Sequence, residues 1–206
     1  MNTAPIDTVI FDLGGVLIDW NPRHLYRKLF EEEEKMEYFL EHICTGAWNE
    51  QQDAGYPLAQ ATEERVRAFP EHESAIRAFY GRWPEMLGGP ISHAVELLEQ
   101  IHQAQTHQLF ALTNWSHETW HHAWGRYGFL RLFEGILVSG QEGLKKPDPK
   151  IYERLLSKYG IEPKRALFID DSHRNAKAAR ALGIRSIHFT NPTALRVALQ
   201  HYGIIS

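Results

Sequence analysis

One stretch near the amino terminus constrains this chain more than any other: Thr8-Val9-Ile10-Phe11-Asp12-Leu13-Gly14-Gly15-Val16-Leu17-Ile18-Asp19. An apolar run rich in β-branched residues stops at a carboxylate. Two glycines follow, and a second apolar run begins. The first run is too short for a helix and suits a strand covered on both faces. Asp12 then falls at the strand's carboxyl end, the edge where open α/β sheets place their ligands. Gly14 and Gly15 permit backbone N–H groups to approach whatever Asp12 faces.

The second part of the chain repeats this pattern. Short apolar segments at Gln108–Leu112, Gly135–Val138, Ala166–Ile169 and Arg185–Phe189 end at Thr113-Asn114, Ser139, Asp170-Asp171 and Thr190. Helical spacing separates them, over Ile91–Ala104, Ser116–Tyr127, Pro149–Tyr159 and Arg174–Leu182, the last closed by Gly183; another helix spans Pro192–Gln200. Strands alternating with helices predict an α/β fold with a Rossmann-like parallel sheet and right-handed crossovers. All the strand ends then lie on one edge. If the strands carrying Asp12, Thr113 and Asp171 are neighbours, those side chains meet.

Residues 20–85 read differently. Asn21 suits a helix N-cap and Pro22 the first helical position. Leu25, Leu29, Met36, Phe39, Leu40 and Ile43 fall at helical spacing, with a break at the Glu31–Glu34 run. Further helices are predicted at Leu58–Ala68 and Glu71–Trp83, and no strand. The expected organisation is a core of residues 1–19 and 86–206, with an all-helical insertion over 20–85.

Bulk properties exclude several classes. The chain has 206 residues, 43% hydrophobic and 23% charged, with a net charge of −4. A sizeable core is expected; a disordered chain and a nucleic-acid binder with a basic face are not. No apolar run approaches the roughly 20 residues that span a bilayer, and Met1–Asp7 lacks the features of a signal peptide. Cys44 is the only cysteine, so no intrachain disulfide can form. A cytoplasmic protein, working as a monomer or weak homodimer without membrane or nucleic acid, is expected.

Three carboxylates on one edge need a cation between them. An all-oxygen set with no cysteine or histidine nearby points to a hard ion such as Mg²⁺. The Thr113 hydroxyl, the Asn114 amide and a loop lysine, Lys145 or Lys146, are groups that hold phosphate oxygens. Metal, lysine and backbone donors together neutralise a phosphoryl group in transfer, and a carboxylate there can act as nucleophile.

Phe11-Asp12-Leu13-Gly14-Gly15-Val16, Leu112-Thr113-Asn114, Gly143-Leu144-Lys145-Lys146-Pro147-Asp148-Pro149 and Phe168-Ile169-Asp170-Asp171-Ser172 resemble the four ordered motifs of the haloacid dehalogenase superfamily. The likeness spans the α/β core, and the helical insertion resembles that superfamily's small cap. The opening is similar to that of phosphatases acting on α-D-glucose 1-phosphate. The resemblance implies that Asp12 is the nucleophile and a Mg²⁺ ligand, with the Gly14 carbonyl as a second ligand. It implies that Thr113 and Asn114 hold phosphoryl oxygens and that Lys146, next to Pro147, is the family lysine. Asp171 would bind Mg²⁺, and Asp170 would do so directly or through water. The implied reaction is hydrolysis of a small phosphomonoester, such as a sugar phosphate, through an aspartyl-phosphate.

One departure matters. Most phosphatases of the superfamily carry an aspartate two residues after the nucleophile as general acid and base; here that position is Gly14. Two explanations stay open: a better leaving group, such as an anomeric phosphate, or a proton donor from the cap or Asp19. The superfamily's metal-free 2-haloacid dehalogenases also lack this aspartate, but they lack the paired aspartates of the fourth motif as well. A non-catalytic phosphosugar-binding protein is a further alternative. His117, His121 and His122 read as an exposed polar face. Trp20, Trp48 and Trp115 read first as packing residues and, as the alternative, as walls of a sugar site; Asp53-Ala54-Gly55 reads as a cap turn near the substrate.

Overall fold

The computed structural model describes residues 4–206. Met1 to Thr3, part of the amino-terminal stretch read above, lie outside the described residues. The main sheet is parallel and has five strands: β1 (Thr8–Phe11), β4 (Gln108–Thr113), β5 (Gly135–Val138), β6 (Ala166–Asp170) and β7 (Arg185–His188), in the order β5-β4-β1-β6-β7. The strand carrying Asp12 is therefore central, flanked by those carrying Thr113 and Asp170. Both faces of β1 are buried: Val9 and Phe11 join one apolar cluster, Ile10 another. α6 (Ser92–Ala104) and α11 (Pro192–His201) cover the first face through Leu98, Ile101, Leu195 and Leu199. α9 (Pro149–Tyr159) and α10 (His173–Ala181) cover the second through Ile151, Tyr152, Leu155 and Ala179. A strand packed on both sides needs continuous apolar character, which is why the run before Asp12 does not alternate.

β2 (Ile18–Trp20) and β3 (Leu87–Pro90) form a separate antiparallel pair, and the regular elements between them are all helical. This pair was not expected: Asp19-Trp20 reads as a turn, and Leu87-Gly88-Gly89-Pro90 has no strand signature. The register brings Asp19 opposite Gly89 and closes the base of the insertion. Between the two strands lie α1 (Arg23–Tyr26), α2 (Glu33–Tyr38) with a π-helical turn at Phe39–Ile43, α3 (Gly46–Asp53), α4 (Leu58–Ala68) and α5 (Glu73–Gly81). The break falls at 27–32, just ahead of Glu33 and Glu34, which occupy the first turn of α2, where the helix dipole favours acids. An aromatic cluster holds these helices together: the Tyr26 ring lies 4.9 Å from Phe39 and 6.2 Å from Phe79, and Trp48 stands edge-on to Phe79. The segment predicted as one helix over Ser116–Tyr127 begins as a turn, and α7 itself spans Trp120–Arg126. α8 (Ser139–Glu142) is a single turn after β5. Among the described residues no helix is long and apolar enough to cross a membrane.

Candidate active site

Register explains why distant residues meet. Phe11 pairs with Ile169 across β1 and β6, and the Asp12 N–H donates to the Ile169 carbonyl at 2.8 Å. One residue further along, Asp12 lies beside Asp170. The Lys146 ammonium sits between them, 2.8 Å from Asp12 Oδ2 and 2.7 Å from Asp170 Oδ2. Lys146 is wholly buried. Burial pulls its pKa down, but the two carboxylates more than reverse this and hold it above the usual lysine range. The loop carrying it is fixed by Asn114, whose carboxamide accepts from the Lys146 N–H at 2.8 Å and donates to its carbonyl at 3.0 Å.

Asp170 is fully engaged. Besides Lys146, it accepts from the Ser172 N–H at 2.8 Å and from Asn175 Nδ2 at 3.0 Å. Asp12 Oδ1 accepts from the Leu13 N–H at 2.7 Å. Asp171, by contrast, is exposed. One carboxylate oxygen each from Asp12, Asp170 and Asp171 can be chosen so that all lie within 4.8 Å of one another. Burial pushes the Asp12 carboxyl well above the ordinary range; Lys146 opposes this, while Asp170 and Asp171 add to it. Burial, then Asp170, raises Asp171 too. One ammonium cannot balance three carboxylates, and an oxygen-only set at this spacing suits a hard divalent cation. The residues present therefore fit such an ion.

Gly15 keeps this geometry open. Its φ is +75°, and a Cβ there would lie 2.2 Å from Asp171 Oδ2. Its N–H donates to the Ile18 carbonyl within the turn, so this glycine supplies space and backbone shape. Gly15→Ala is expected to cost about 1–2 kcal/mol through its left-handed backbone. By displacing Asp171 it should also lower turnover about 10²-fold, the scale set by a 1 Å misplacement. Urea unfolding and steady-state kinetics check both effects.

Above the carboxylates lies a cavity of about 370 Å³ walled by Asp12, Gly14, Asp53, Asn114 and Asp171, with Trp20, Trp83 and Trp115. A larger hollow, about 430 Å³, lies at the opposite edge of the sheet near Asp7 and His107 and holds none of these groups.

A family model described as haloacid dehalogenase-like hydrolase matches residues 6–183. The chain belongs to this family. Among relatives of this hydrolase, a sesquiterpene phosphatase of Aspergillus oryzae is 25% identical, with 93% of each chain covered. A phosphorylated carbohydrates phosphatase of Thermotoga maritima is also 25% identical, covering 89% of this chain and 84% of its own. The putative hydrolase YfnB of Bacillus subtilis, solved bound to magnesium, superimposes with a TM-score of 0.71 at 18% identity over 95% of this chain and 99% of its own. A family enzyme of Bacteroides thetaiotaomicron in complex with magnesium and inorganic phosphate gives 0.68 at 22% identity over 90% and 95%. At these identities the superpositions bear on the fold alone.

In this hydrolase the sequence candidates divide. Asp12, Lys146, Asp170 and Asp171 converge, and Gly14 and Asn114 line the same cavity. Thr113 is buried, and its hydroxyl finds no partner among the described residues. Lys145 instead pairs with Glu50 of α3. Asp19 bonds His24 at 2.9 Å and is absent from the cavity wall. Trp48 packs inside the helical segment, its leading reading, and borders a different hollow with Gln52 and Tyr56; Trp83, not singled out from sequence, lines the Asp12 cavity. Asn175, also overlooked, follows the paired aspartates on the first turn of the next helix, a signal that was readable. Glu50 and Arg174, bonded at 2.6 Å across the cavity wall, carried no such signal.

Proposed function

We propose that this hydrolase is a Mg²⁺-dependent phosphatase of small phosphomonoesters, with residues 20–85 as a cap over a core of 1–19 and 86–206. The observation that carries the reading is the buried Asp12–Lys146–Asp170 array, joined by Asp171 in the wall of the same cavity. Asp12 and Asp171 would hold the ion with the Gly14 carbonyl; Asp170, saturated by Lys146, Ser172 and Asn175, would act directly or through water. Bound there, the ion would offset the charge of carboxylates and phosphate.

Asp12 Oδ2 attacks phosphorus, forming an aspartyl-phosphate as the alcohol leaves, and water then attacks phosphorus to regenerate Asp12. Lys146 keeps Asp12 in place and spreads the charge that develops on the phosphoryl oxygens. The unpartnered Thr113 hydroxyl can take one of those oxygens. The Asn114 carboxamide is committed to the Lys146 backbone, so its contribution is to hold the lysine loop.

Trp20, Trp83 and Trp115 line the cavity, and the indole N–H of each is buried without a partner among the described residues. Aromatic walls pack against the apolar C–H faces of a sugar ring, which supports a sugar phosphate. The Asp170-Asp171 pair and the full-length phosphatase relatives disfavour halide release.

The test is a panel of sugar and simple phosphates, assayed with Mg²⁺ and after chelation. Phosphate release is expected with Mg²⁺, falling to background when the ion is removed and returning on its readdition. Ligand binding without turnover across the panel would support the non-catalytic alternative instead.

A further inference from the structure

Gly14 leaves the departing alcohol without the proton donor usual at that position, so the cavity must be asked what replaces it. Its wall holds four carboxylates besides the buried Asp170: those of Asp12, Asp171, Glu50 and Asp53. Asp12 is the nucleophile of the proposed reaction, and Asp171 belongs to the cation cluster. Glu50 cannot give a proton: burial pushes its pKa up, but bonds from Lys145 and Arg174 outweigh this and keep it ionised. Asp53 remains.

The surroundings of Asp53 differ from those of the other three. It ends α3 and is buried, 7% exposed. Its carboxyl accepts from Asn49 Nδ2 at 3.1 Å and from the Ser116 backbone N–H. Both partners are neutral donors, and among the described residues no ion pair engages it. The nearest charges are Glu50 on its own helix and Lys145 and Lys146 on the loop before α9. From α5, the Tyr80 hydroxyl donates to Asn49 Oδ1 at 3.0 Å and so fixes the amide that holds Asp53.

The backbone around Asp53 is anchored to the core. Its carbonyl accepts from Ser139 Oγ, which in turn accepts from the Trp115 N–H at 2.8 Å. Two residues on, Gly55 has φ +96°, and a Cβ there would lie 3.2 Å from the Gly140 carbonyl. The helical segment thus places one buried carboxyl, with no ion pair among the described residues, into the cavity that holds the nucleophile.

We propose that Asp53 is the general acid and base of this hydrolase, taking from the helical segment the role left open at Gly14. The assignment rests on the phosphatase reading above. As the Asp12 Oδ2–P bond forms and the P–O bond to the alcohol breaks, the Asp53 proton passes to the departing oxygen, releasing ROH and leaving Asp53 ionised. Water then attacks phosphorus and gives its proton to Asp53; inorganic phosphate leaves, and both aspartates return to their starting states. Burial, reinforced by Glu50, raises the Asp53 pKa to about 7, so the proton is held near neutrality. A donor with that value suits transfer at this pH.

The experiment compares the wild-type protein with Asp53→Asn on a poor and a good leaving group, methyl phosphate and p-nitrophenyl phosphate, through kcat/KM. Asn keeps a carbonyl oxygen for Ser116 and Asn49 but cannot give a proton. The expected result is a loss of about 10²–10⁴-fold on the alkyl ester, the usual worth of a general acid, and a far smaller loss on the aryl ester. Equal losses on both esters would mean a structural role and would overturn the proposal while leaving the phosphatase reading intact. A wild-type protein that hydrolyses neither ester would overturn both. Should Asp53→Asn fail to fold, the wild-type pH profile decides: alkyl turnover should fall as pH rises through about 7 while aryl turnover does not, and parallel profiles would refute the assignment.

Discussion

Asp12→Asn is expected to abolish phosphate release while leaving the fold at least as stable as before. The amide preserves the shape of the side chain but cannot attack phosphorus, so turnover should fall by at least about 10³-fold, as losses of nucleophiles do. Stability should not follow. Burial and two neighbouring carboxylates disfavour the charge on Asp12, so a neutral amide relieves repulsion while Lys146 keeps its bond to Asp170 at 2.7 Å. Thermal unfolding without added metal should therefore show an unchanged or raised midpoint. Acid quenching during turnover should trap phosphate on the wild-type protein and none on the variant. Turnover surviving in Asp12→Asn would remove Asp12 from the mechanism.

Lys146→Met should do the opposite and damage the fold itself. Lys146 is 0% exposed and contacts two carboxylates that are themselves nearly or wholly buried. Methionine fills much of the volume but leaves both without a counter-charge. Removing one partner from a buried ion pair costs about 3–5 kcal/mol, because the remaining charge stays desolvated. The penalty should shrink as pH falls, since burial already holds the Asp12 carboxyl well above the ordinary range and protonation neutralises it first. Urea unfolding at neutral and mildly acidic pH would show this: a large loss at pH 7 and a smaller one at pH 5. Lys145→Met is the matched control. Its partner Glu50 is partly exposed and keeps Arg174, so the loss there should be only about 0–1 kcal/mol. Comparable losses for the two lysines would contradict the buried array.

Much of the architecture is legible in the chain because the rules involved are local. The run into Asp12, the strand at Gly135–Val138 and the helices at Leu58–Ala68 and Pro149–Tyr159 follow from apolar patterning, proline at a helix start and glycine at its end. Four motifs, each at a strand end or in the loop beyond, suffice to nominate Asp12, Lys146, Asp170 and Asp171. The β2–β3 pair was not legible, because neither short segment has strand character and only their mutual pairing makes them strands. Trp83 was overlooked for a similar reason, while Trp48 packs inside the helical segment, as its first reading has it. Both rings sit in the same aromatic cluster, and only packing decides which one reaches the cavity.

The order of residues by itself determined that this is an α/β hydrolase with carboxylates at strand ends, because hydrophobic periodicity and motif order are carried by neighbours along the chain. Tertiary structure alone decided that the Lys146 ammonium is buried between Asp12 and Asp170, that Asn114 grips its backbone, and that Asp53 stands buried in the same cavity with no ion pair among the described residues. Those are facts of distance and desolvation between residues far apart in sequence. Charge, burial and proton affinity take their values only once such groups are brought together and water is removed from between them.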